Sequence, residues 1–273
     1  MITILMSTYN GARYLRTQLD SILRQDMADW RLMVRDDGSS DDTPAILQEY
    51  AGRNARIRVV SDGENKGALR GFEALLAQYG TEGYVAFADQ DDEWLPMKLR
   101  VCEETLRRAE QRYGTDRPIV VHTDLEVVDA DLQPIAKSFW AYSNIHPEIL
   151  DEEIHYLALC NSVTGCAMMM NQVARRVSLP FGRHAMMHDY AVAMAVKEAG
   201  GKIIPIETAT IRYRQHGKNA LGAVRYSLWR SGKVRLQEAR DHYRAFAPRV
   251  FKNVWHFVYW KARYFVRLHW LRR

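Results

Sequence analysis

Three aspartates, Asp89, Asp91 and Asp92, stand close together in the segment FADQDDEW. In extended backbone Asp89 and Asp91 project to the same side, because side chains alternate along a strand. Carboxylates this close raise one another's pKa and oppose folding unless a cation neutralises them. Mg²⁺ and Mn²⁺ prefer oxygen ligands and can complete their shell with a substrate diphosphate. The cluster therefore predicts a divalent metal site, and the alternative is a solvated turn before the helix at Leu95-Pro96.

Polar and acidic residues also follow the other apolar runs in the first half of the sequence. In an open α/β sheet, ligands bind outside the carboxyl ends of the strands, so these stretches are candidate binding residues. Thr43 followed by Pro44 suits the start of a helix. The pair Asp36-Asp37 has no such structural role, and we expect it to contact a base or a ribose. The four stretches are residues 7–11, 35–43, 61–67 and 89–92.

Apolar runs alternate with segments of helical periodicity through the first half of the chain. This alternation predicts an α/β sheet of mostly parallel strands flanked by helices. Further strands are predicted in PIVVHTDLEVV, TGCAMMM and KIIPIETATIRYR, and a helix in AVAMAVKEAGG. The predicted organisation is one domain over residues 1–220, with a nucleotide-binding half at about 1–117 and an acceptor half at about 118–220, followed by a helical C-terminal extension at 221–273.

The composition of the 273 residues, 47% hydrophobic and 26% charged, is that of a folded globular protein and excludes a disordered chain. Cys102, Cys160 and Cys166 form no CxxC pair and are too few for a disulfide framework, which favours a reducing compartment. Residues 1–8 lack the features of a signal peptide, and no apolar run is long enough to span a membrane. We therefore expect a cytoplasmic protein.

The four polar stretches, in this order and spacing, resemble the family 2 glycosyltransferases of the GT-A fold. The matching pieces are MSTYNG, RDDGSSDDT, ENKGALRGF and FADQDDEW, and the resemblance covers roughly residues 1–220. A single DxD motif would be weak, whereas four motifs at four successive strand ends are specific. The resemblance implies a GT-A fold, a nucleotide-sugar donor and a divalent metal, Mg²⁺ or Mn²⁺.

The resemblance also implies roles for individual residues near the donor. Asp37 is the expected base-binding carboxylate, and Asp89 faces the ribose or the metal. Asp91 is the expected main protein ligand to the ion that bridges the diphosphate. The other expected donor contacts are Thr8, Tyr9 and Asn10 at the first strand end, Asp36, Lys66 and Gly67 in the next two loops, and Gln90.

In the second half of the chain, MMHDYAVAMAV resembles the segment in which the family places its general base. The segment offers His188 and Asp189 as catalytic residues, with Asp189 as the base; the alternative is that Asp189 only caps the following helix. In YRQHGKN, His216 lies where some GT-A enzymes supply a late histidine to the metal or diphosphate, and the alternative is an ordinary surface histidine. The cations around it are Arg212, Arg214 and Lys218.

We expect an inverting single displacement, in which Asp189 takes a proton from an acceptor hydroxyl as that oxygen attacks the anomeric carbon. FADQDDEW, HDY and YRQHGKN resemble the bacterial rhamnosyltransferase branch. This implies dTDP-L-rhamnose as donor and a glycan or lipid-linked acceptor in the synthesis of O-antigen, lipopolysaccharide core or capsule. UDP-hexose and UDP-N-acetylhexosamine donors stay open, because few pocket residues separate them. The QxxRW motif of processive synthases is absent, which predicts transfer of one or a few sugars.

Two other functions fit part of this pattern. A non-catalytic, membrane-associated protein that binds a nucleotide-sugar could keep the fold, but the presence of Asp89, Asp91 and Asp189 argues against it. A nucleotidyltransferase would also place nucleotide and metal at strand ends. It would carry a glycine-rich basic loop near the first strand, and MSTYNGARY is not one.

Residues 249–273 contain seven Lys or Arg, eight aromatic residues and no acid, whereas the rest of the chain has 31 basic and 33 acidic residues. This pattern predicts an interfacial helix on an anionic membrane surface, at the inner face of the cytoplasmic membrane. The alternatives are packing on the catalytic domain or on a second copy in a homodimer. A nucleic-acid partner is not expected, because no nucleic-acid-binding motif is present. The predicted apolar stripe is Phe251, Val254, Trp255, Val258, Ala262, Phe265 and Val266.

Overall fold

The computed structural model describes residues 1–61, 63–182, 185, 187–217, 223 and 250–271. These residues form one sheet with helices on both faces, which confirms the α/β prediction. The strands are β1 (Ile2–Thr8), β2 (Trp30–Asp36), β3 (Ile57–Val59), β4 (Tyr84–Ala88), β5 (Glu93–Trp94), β6 (Ile119–Val128), β7 (Pro134–Ala136), β8 (Met168–Met170) and β9 (Lys202–Arg214).

The helices carry the apolar periodicity seen in the sequence. In α1, for example, Leu15, Leu19 and Ile22 are buried on one face. The helices are α1 (Ala12–Leu23), α2 (Thr43–Arg53), α3 (Gly67–Tyr79), α4 (Lys98–Tyr113), α5 (Phe139–Ser143), α6 (Pro147–Leu150), α7 (Ile154–Leu157), α8 (Gln172–Ser178), α9 (His188–Glu198) and α10 (Val254–Leu271), with a 3₁₀ turn at Gly165–Ala167.

The strand order is β3-β2-β1-β4-β8-β6-β9-β5, with β7 paired to β6. Strands β1 to β4 are parallel to one another, so their carboxyl ends lie along one edge of the sheet. Strand β8 runs antiparallel between β4 and β6, and β9 returns parallel to β6. The mixed half brings the carboxyl end of β9 beside the segment that follows β4.

Both faces of the sheet are buried, which explains why β1 reads as a continuous apolar run. Ile2, Ile4 and Met6 point to the core beneath α1, α2 and α4. Leu5 points to the opposite core, which α3, α8 and α9 cover. Side chains of β1 therefore alternate between the two cores. Packing on both faces fixes the end of the strand at the site.

The C-terminal helix α10 packs on the domain through one apolar face. Phe257 and Leu268 are buried, and the ring of Trp260 stacks on His155 with 4.1 Å between centroids. The side chain of Arg267 forms a 2.6 Å ion pair with Glu152. The predicted helical extension is thus observed over Val254–Leu271, whereas the predicted part at 221–249 lies outside the described residues except for residue 223.

The predicted apolar stripe lies on the other side of α10. Val254, Val258 and Phe265 of that stripe are half-exposed, and Trp255 is 77% exposed. Phe251 does not belong to the stripe: it precedes the helix and is buried against Phe257, with 5.1 Å between ring centroids. The helix therefore has two apolar faces, and the described part of the domain covers only the inner one. None of the described helices is long and apolar enough to cross a membrane.

Candidate functional site

The carboxyl ends of β1, β2 and β4 border a cavity of about 710 Å³. Its walls come from the strand-end loops, from the 3₁₀ turn and from the start of α9. The cavity therefore joins the two predicted halves of the domain. Its acidic lining residues are Asp37, Asp89, Asp91 and Asp189, and the loops add Ser7, Thr8, Tyr9, Asn65, Gly67, Gln90, Asn161, Thr164 and Gly165.

The aspartate segment after β4 divides into two parts. Asp89 and Asp91 line the cavity, whereas Asp92 is fully buried behind it. One oxygen of Asp92, Oδ1, accepts a hydrogen bond from the backbone N–H of Arg214 at 3.1 Å. Of the three carboxylates that the sequence groups together, two can thus reach a ligand in the cavity.

His216 reaches this segment from the end of β9. Its Nε2 lies 2.8 Å from Oδ2 of Asp91, so the structure brings together the two residues predicted to share a metal. Arg214 donates from Nε to the backbone carbonyl of Asp91 at 2.7 Å. Arg212 turns away, because its guanidinium pairs with Glu93 at 2.9 Å, and the predicted neighbour Lys218 lies outside the described residues.

The electrostatics of the cluster favour a cation on its open side. Burial and the nearby Asp91 carboxylate raise the pKa of Asp89 to about 7. Ligand atoms of Asp89, Asp92 and Cys166 also lie within 4.8 Å of one another. Burial raises the pKa of the Cys166 thiol, which keeps it protonated and makes it a poor ligand for a hard cation. Carboxylate oxygens of Asp89 and Asp91 and the imidazole of His216 are the fitting ligands for Mg²⁺ or Mn²⁺.

A buried cation, Lys98, lies behind the cluster and was not found by the sequence analysis. Its side chain is fully buried at the start of α4, with Nζ 3.8 Å from the centre of the Trp94 ring. Burial lowers the pKa of Lys98, while Asp92 acts in the opposite direction. Only the spacing of four between Trp94 and Lys98 on adjoining elements hints at this contact in the sequence.

The loop after β1 is tied to the aspartate segment through Gln90. The Gln90 side-chain amide accepts from the Tyr9 backbone N–H at 2.9 Å and donates to the Tyr9 carbonyl at 3.0 Å. A Cβ on Gly11 would lie 2.2 Å from Oε1 of Gln90, so a larger residue there would displace the Gln90 side chain from Tyr9. Asn10 holds the second loop instead of facing the cavity, because its Oδ1 accepts from the Ser40 backbone N–H at 2.8 Å.

The Asp36-Asp37 pair has structural roles that the sequence analysis missed. Asp36 lies beneath the cavity, and its Oδ1 accepts from the Thr8 hydroxyl at 2.9 Å. The carboxylate of Asp37 accepts from the backbone N–H groups of Lys66 and Gly67, each at 2.7 Å. Burial opposes ionisation of Asp37, but these hydrogen bonds and the Arg35 guanidinium lower its pKa below the usual value.

Among the residues predicted in these loops, Thr8, Tyr9, Asp37, Gly67 and Gln90 line the cavity, and Asn10, Asp36 and Lys66 do not. The Lys66 ammonium lies 3.5 Å from the Glu64 carboxylate. These three residues shape the loops from behind, and a direct donor contact by their side chains stays a prediction.

Asp189 lines the same cavity as the metal-ligand candidates Asp89 and Asp91. Its Oδ2 accepts from the Gly165 backbone N–H at 3.1 Å, and its Oδ1 accepts from the Tyr190 N–H at 2.6 Å. Burial raises the pKa of Asp189 to about 6. The capping alternative is wrong, because α9 begins at His188 and its N-cap residue is Met187.

His188 is held as a packing group. Its ring stacks on Phe72 with 4.0 Å between centroids and meets Phe87 edge-on at 4.8 Å. Among the described residues, neither ring nitrogen has a hydrogen-bond partner, and burial lowers the pKa of His188 to about 3. A Cβ on Gly165 would lie 2.3 Å from Nε2 of His188. The neutral ring thus fixes the start of α9, and a direct catalytic role for it stays a prediction.

Residues 3–123 match the sequence model of glycosyl transferase family 2. The chain is 33% identical over 101 residues to the E. coli UDP-Glc:alpha-D-GlcNAc-diphosphoundecaprenol beta-1,3-glucosyltransferase WfgD, covering 37% of this chain and 39% of WfgD. It is 30% identical over 171 residues to Bacillus subtilis TuaG, whose name assigns it provisionally to teichuronic acid biosynthesis; the match covers 62% of this chain and 61% of TuaG. The chain thus spans less than two thirds of the length of either relative.

Two solved structures share the fold at 17% identity. S. aureus TarS 1-349 in complex with UDP-GlcNAc has a TM-score of 0.60, covering 90% of this chain and 66% of that one. The mannosyltransferase PcManGT of Pyrobaculum calidifontis, in complex with GDP-Man and Mn²⁺, has a TM-score of 0.61, covering 90% and 63%. The chain therefore has the GT-A fold and, over residues 3–123, is similar to the family 2 glycosyltransferases.

Proposed function

We propose that the protein transfers one sugar from a nucleotide-sugar to an acceptor hydroxyl, with inversion and with the help of a divalent metal. The observation that carries the proposal is the placement of Asp189 in one cavity with Asp89 and Asp91. A general base and a cluster for leaving-group charge then face the same substrate. In this proposal residues 1–117 bind the donor, and residues 118–220 hold the acceptor.

Asp91, Asp89 and His216 would hold the metal, which, when bound, supplies positive charge to the departing diphosphate. Asp91 is the central ligand, because the structure orients it from two sides. His216 contacts its carboxylate, and Arg214 fixes its backbone carbonyl. These contacts aim the carboxylate into the cavity before a ligand arrives.

Asp189 would accept the proton of the acceptor hydroxyl. With its pKa raised to about 6, the carboxylate is ionised at neutral pH and more basic than an ordinary aspartate. Two backbone N–H groups, from Gly165 and Tyr190, fix its orientation. Such positioning of a base against a bound hydroxyl removes part of the barrier through alignment.

On the donor side, Asp37 would meet the base, with Thr8, Tyr9, Gly67 and Gln90 around the nucleotide. Resemblance to the rhamnosyltransferase branch favours dTDP-L-rhamnose. The UDP-Glc and UDP-GlcNAc named for WfgD and TarS support the alternative, a UDP-hexose or UDP-N-acetylhexosamine donor. A glycan or lipid-linked acceptor in cell-surface polysaccharide synthesis agrees with the diphosphoundecaprenol in the name of WfgD.

The proposal includes docking at an anionic membrane through residues 249–273. The outer face of α10 exposes Trp255, Phe265 and Val266, which suits insertion among lipid headgroups. Exposed cations on the same helix, among them Arg263, would meet anionic lipid. The inner face is already used in packing on the domain, so docking needs no refolding of the helix. The protein would then work at the inner face of the cytoplasmic membrane on a lipid-linked acceptor.

The test is slow donor hydrolysis by the purified protein. The panel is dTDP-L-rhamnose, UDP-glucose, UDP-galactose and UDP-N-acetylglucosamine, each with Mn²⁺, with Mg²⁺ and with EDTA. We expect metal-dependent hydrolysis of one donor, lost in Asp189→Ala, and that donor names the sugar. If the protein binds a donor without hydrolysing it, and Asp189→Ala leaves donor binding unchanged, the protein is instead a non-catalytic nucleotide-sugar-binding protein.

A further inference from the structure

Tyr14 of α1 supports the end of β9 with the face of its ring. The Tyr14 and His216 rings are stacked, with 4.7 Å between centroids and 27° between planes. The guanidinium carbon of Arg214 lies 4.6 Å from the centre of the same ring. One aromatic side chain thus contacts both an imidazole and a guanidinium from the loop that follows β9.

These two groups are the ones that hold Asp91. His216 contacts the Asp91 carboxylate at 2.8 Å, and Arg214 donates to its backbone carbonyl at 2.7 Å. Tyr14 itself is half-buried and is not among the residues that line the cavity. The Tyr14 ring can therefore act on the site through His216 and Arg214.

The contact also joins two separate parts of the site. Tyr14 lies in the first turn of α1, which begins at Ala12. Its backbone N–H donates to the carbonyl of Gly11, and Gly11 packs against Gln90. The donor loop after β1 and the closing segment after β9 therefore meet at one ring. A planar ring fixes the tilt of a stacked imidazole, which sets the direction of Nε2.

We infer that Tyr14 is a positioning residue of the divalent-cation site: its ring holds His216 and Arg214 in the arrangement that orients Asp91. This inference rests on the proposed metal. The property that matters is the flat aromatic face, so phenylalanine can replace tyrosine and an unbranched aliphatic side chain of similar size cannot.

Binding of Mn²⁺ in the presence of UDP, measured by calorimetry, tests the inference. Tyr14→Met should weaken Mn²⁺ binding about five- to tenfold, whereas Tyr14→Phe should stay within about twofold of the parent protein. In the His216→Ala background, the fold-weakening of Mn²⁺ binding by Tyr14→Met should be at least about threefold smaller than in the parent, because the two rings act together. Tyr113→Met, at a half-buried tyrosine that contacts Lys202 at the opposite end of β9, is the matched control and should change nothing.

The kinetic readout separates positioning from a general loss of structure. At saturating Mn²⁺, kcat of Tyr14→Met should stay within about threefold of the parent, while the Mn²⁺ concentration for half-maximal rate rises with the calorimetric constant. Equal weakening by Tyr14→Phe and Tyr14→Met, or effects of Tyr14→Met and His216→Ala that multiply fully, would overturn the inference.

A second measurement does not depend on the metal. In protein with ¹³C-labelled histidine, the His216 ring resonance, identified by its loss in His216→Ala, should keep its position in Tyr14→Phe and shift in Tyr14→Met. An unmoved resonance in Tyr14→Met contradicts the positioning role by itself. A parent protein that binds no Mn²⁺ with UDP contradicts the proposed metal instead, so the two failures are distinguishable.

Discussion

The carboxylate of Asp189 accepts a hydrogen bond from the backbone N–H of Gly165, with 3.1 Å between Oδ2 and the nitrogen. This bond joins the first turn of α9 to the 3₁₀ turn that leads into β8. Because β8 lies next to β4 in the sheet, the candidate base is fixed relative to the aspartates that follow β4. The position of the candidate base relative to these aspartates is thus set by the sheet and not by a loop alone.

Replacing Asp189 by asparagine should abolish turnover without destabilising the fold. A general base contributes roughly 10²- to 10⁴-fold to a rate, so we expect a loss of kcat in that range. Since the pKa of Asp189 rises from 3.8 to about 6 on folding, ionisation of this group opposes folding at neutral pH by up to about 3 kcal/mol. The neutral amide avoids that term but can accept only one of the two backbone N–H bonds, so the two effects oppose and the urea midpoint of Asp189→Asn should stay close to that of the parent.

The matched control for Asp189→Asn is Asp131→Asn, at an exposed aspartate in the turn between β6 and β7. It should leave both kcat and the urea midpoint unchanged. Full activity of Asp189→Asn would remove this residue from the mechanism.

The rate should depend on pH through Asp189. Only the ionised carboxylate can accept a proton, so kcat/KM at saturating metal should fall about tenfold per pH unit below about 6. The stability contribution has the opposite sign. Because the folded-state pKa is raised, stability from this group is greatest below about pH 3.8 and is lost as the pH rises to about 6. A profile of kcat/KM between pH 5 and 8 that is flat would contradict the assignment.

Gly165→Ala should damage both the fold and the site. The added Cβ would lie 2.3 Å from Nε2 of His188, whose ring is confined by Phe72. Overpacking of this kind costs about 1–3 kcal/mol, which urea unfolding can measure. With His188→Ala as background the same change should cost less, because the opposing ring is gone. Gly52→Ala, at a helical glycine with nothing within 4 Å, is the control and should not destabilise.

The outer face of α10 should govern membrane association. Trp255→Ser with Phe265→Ser should reduce cosedimentation with phosphatidylglycerol vesicles by at least about tenfold, because two large exposed apolar groups are removed. Donor hydrolysis in solution should be unchanged. Binding of the parent to phosphatidylglycerol vesicles but not to phosphatidylcholine vesicles would support the charge term. If the double variant still cosediments like the parent but disrupts a dimer that the parent forms in solution, the outer face binds a second copy of the chain instead of a membrane.

Much of the fold and part of the site could be predicted from local patterns. The strand ends can be located in the sequence, because apolar runs stop at polar residues. Their positions predict that Asp37, Asp89 and Asp91 lie at one edge of the sheet, and all three line the cavity. The expectation that His216 lies near Asp91 also agrees with the geometry, at 2.8 Å. In each case a short motif follows a strand, and the strand order of the fold gives the position of that motif in the site.

The contacts of Asp37, the burial of Lys98 and the packed face of α10 could not be predicted, because they depend on residues distant in sequence. The carboxylate of Asp37 is held by backbone N–H groups about thirty residues later, at Lys66 and Gly67. Lys98 looks like a surface residue at a helix start, and only the fold buries it over Trp94. For α10, aromatic residues cover both sides of the helix, so periodicity alone could not say which face the domain would take.

The most direct test of the central claim is calorimetric binding of the donor that the parent hydrolyses, with and without Mn²⁺, to the parent and to Asp91→Asn. The parent should bind the donor at least about tenfold more tightly with Mn²⁺ than with EDTA, and Asp91→Asn should lose that difference while keeping the metal-independent affinity. Asp131→Asn should behave as the parent. Equal donor affinity of the parent with Mn²⁺ and with EDTA would contradict a metal-dependent glycosyltransferase built on Asp91.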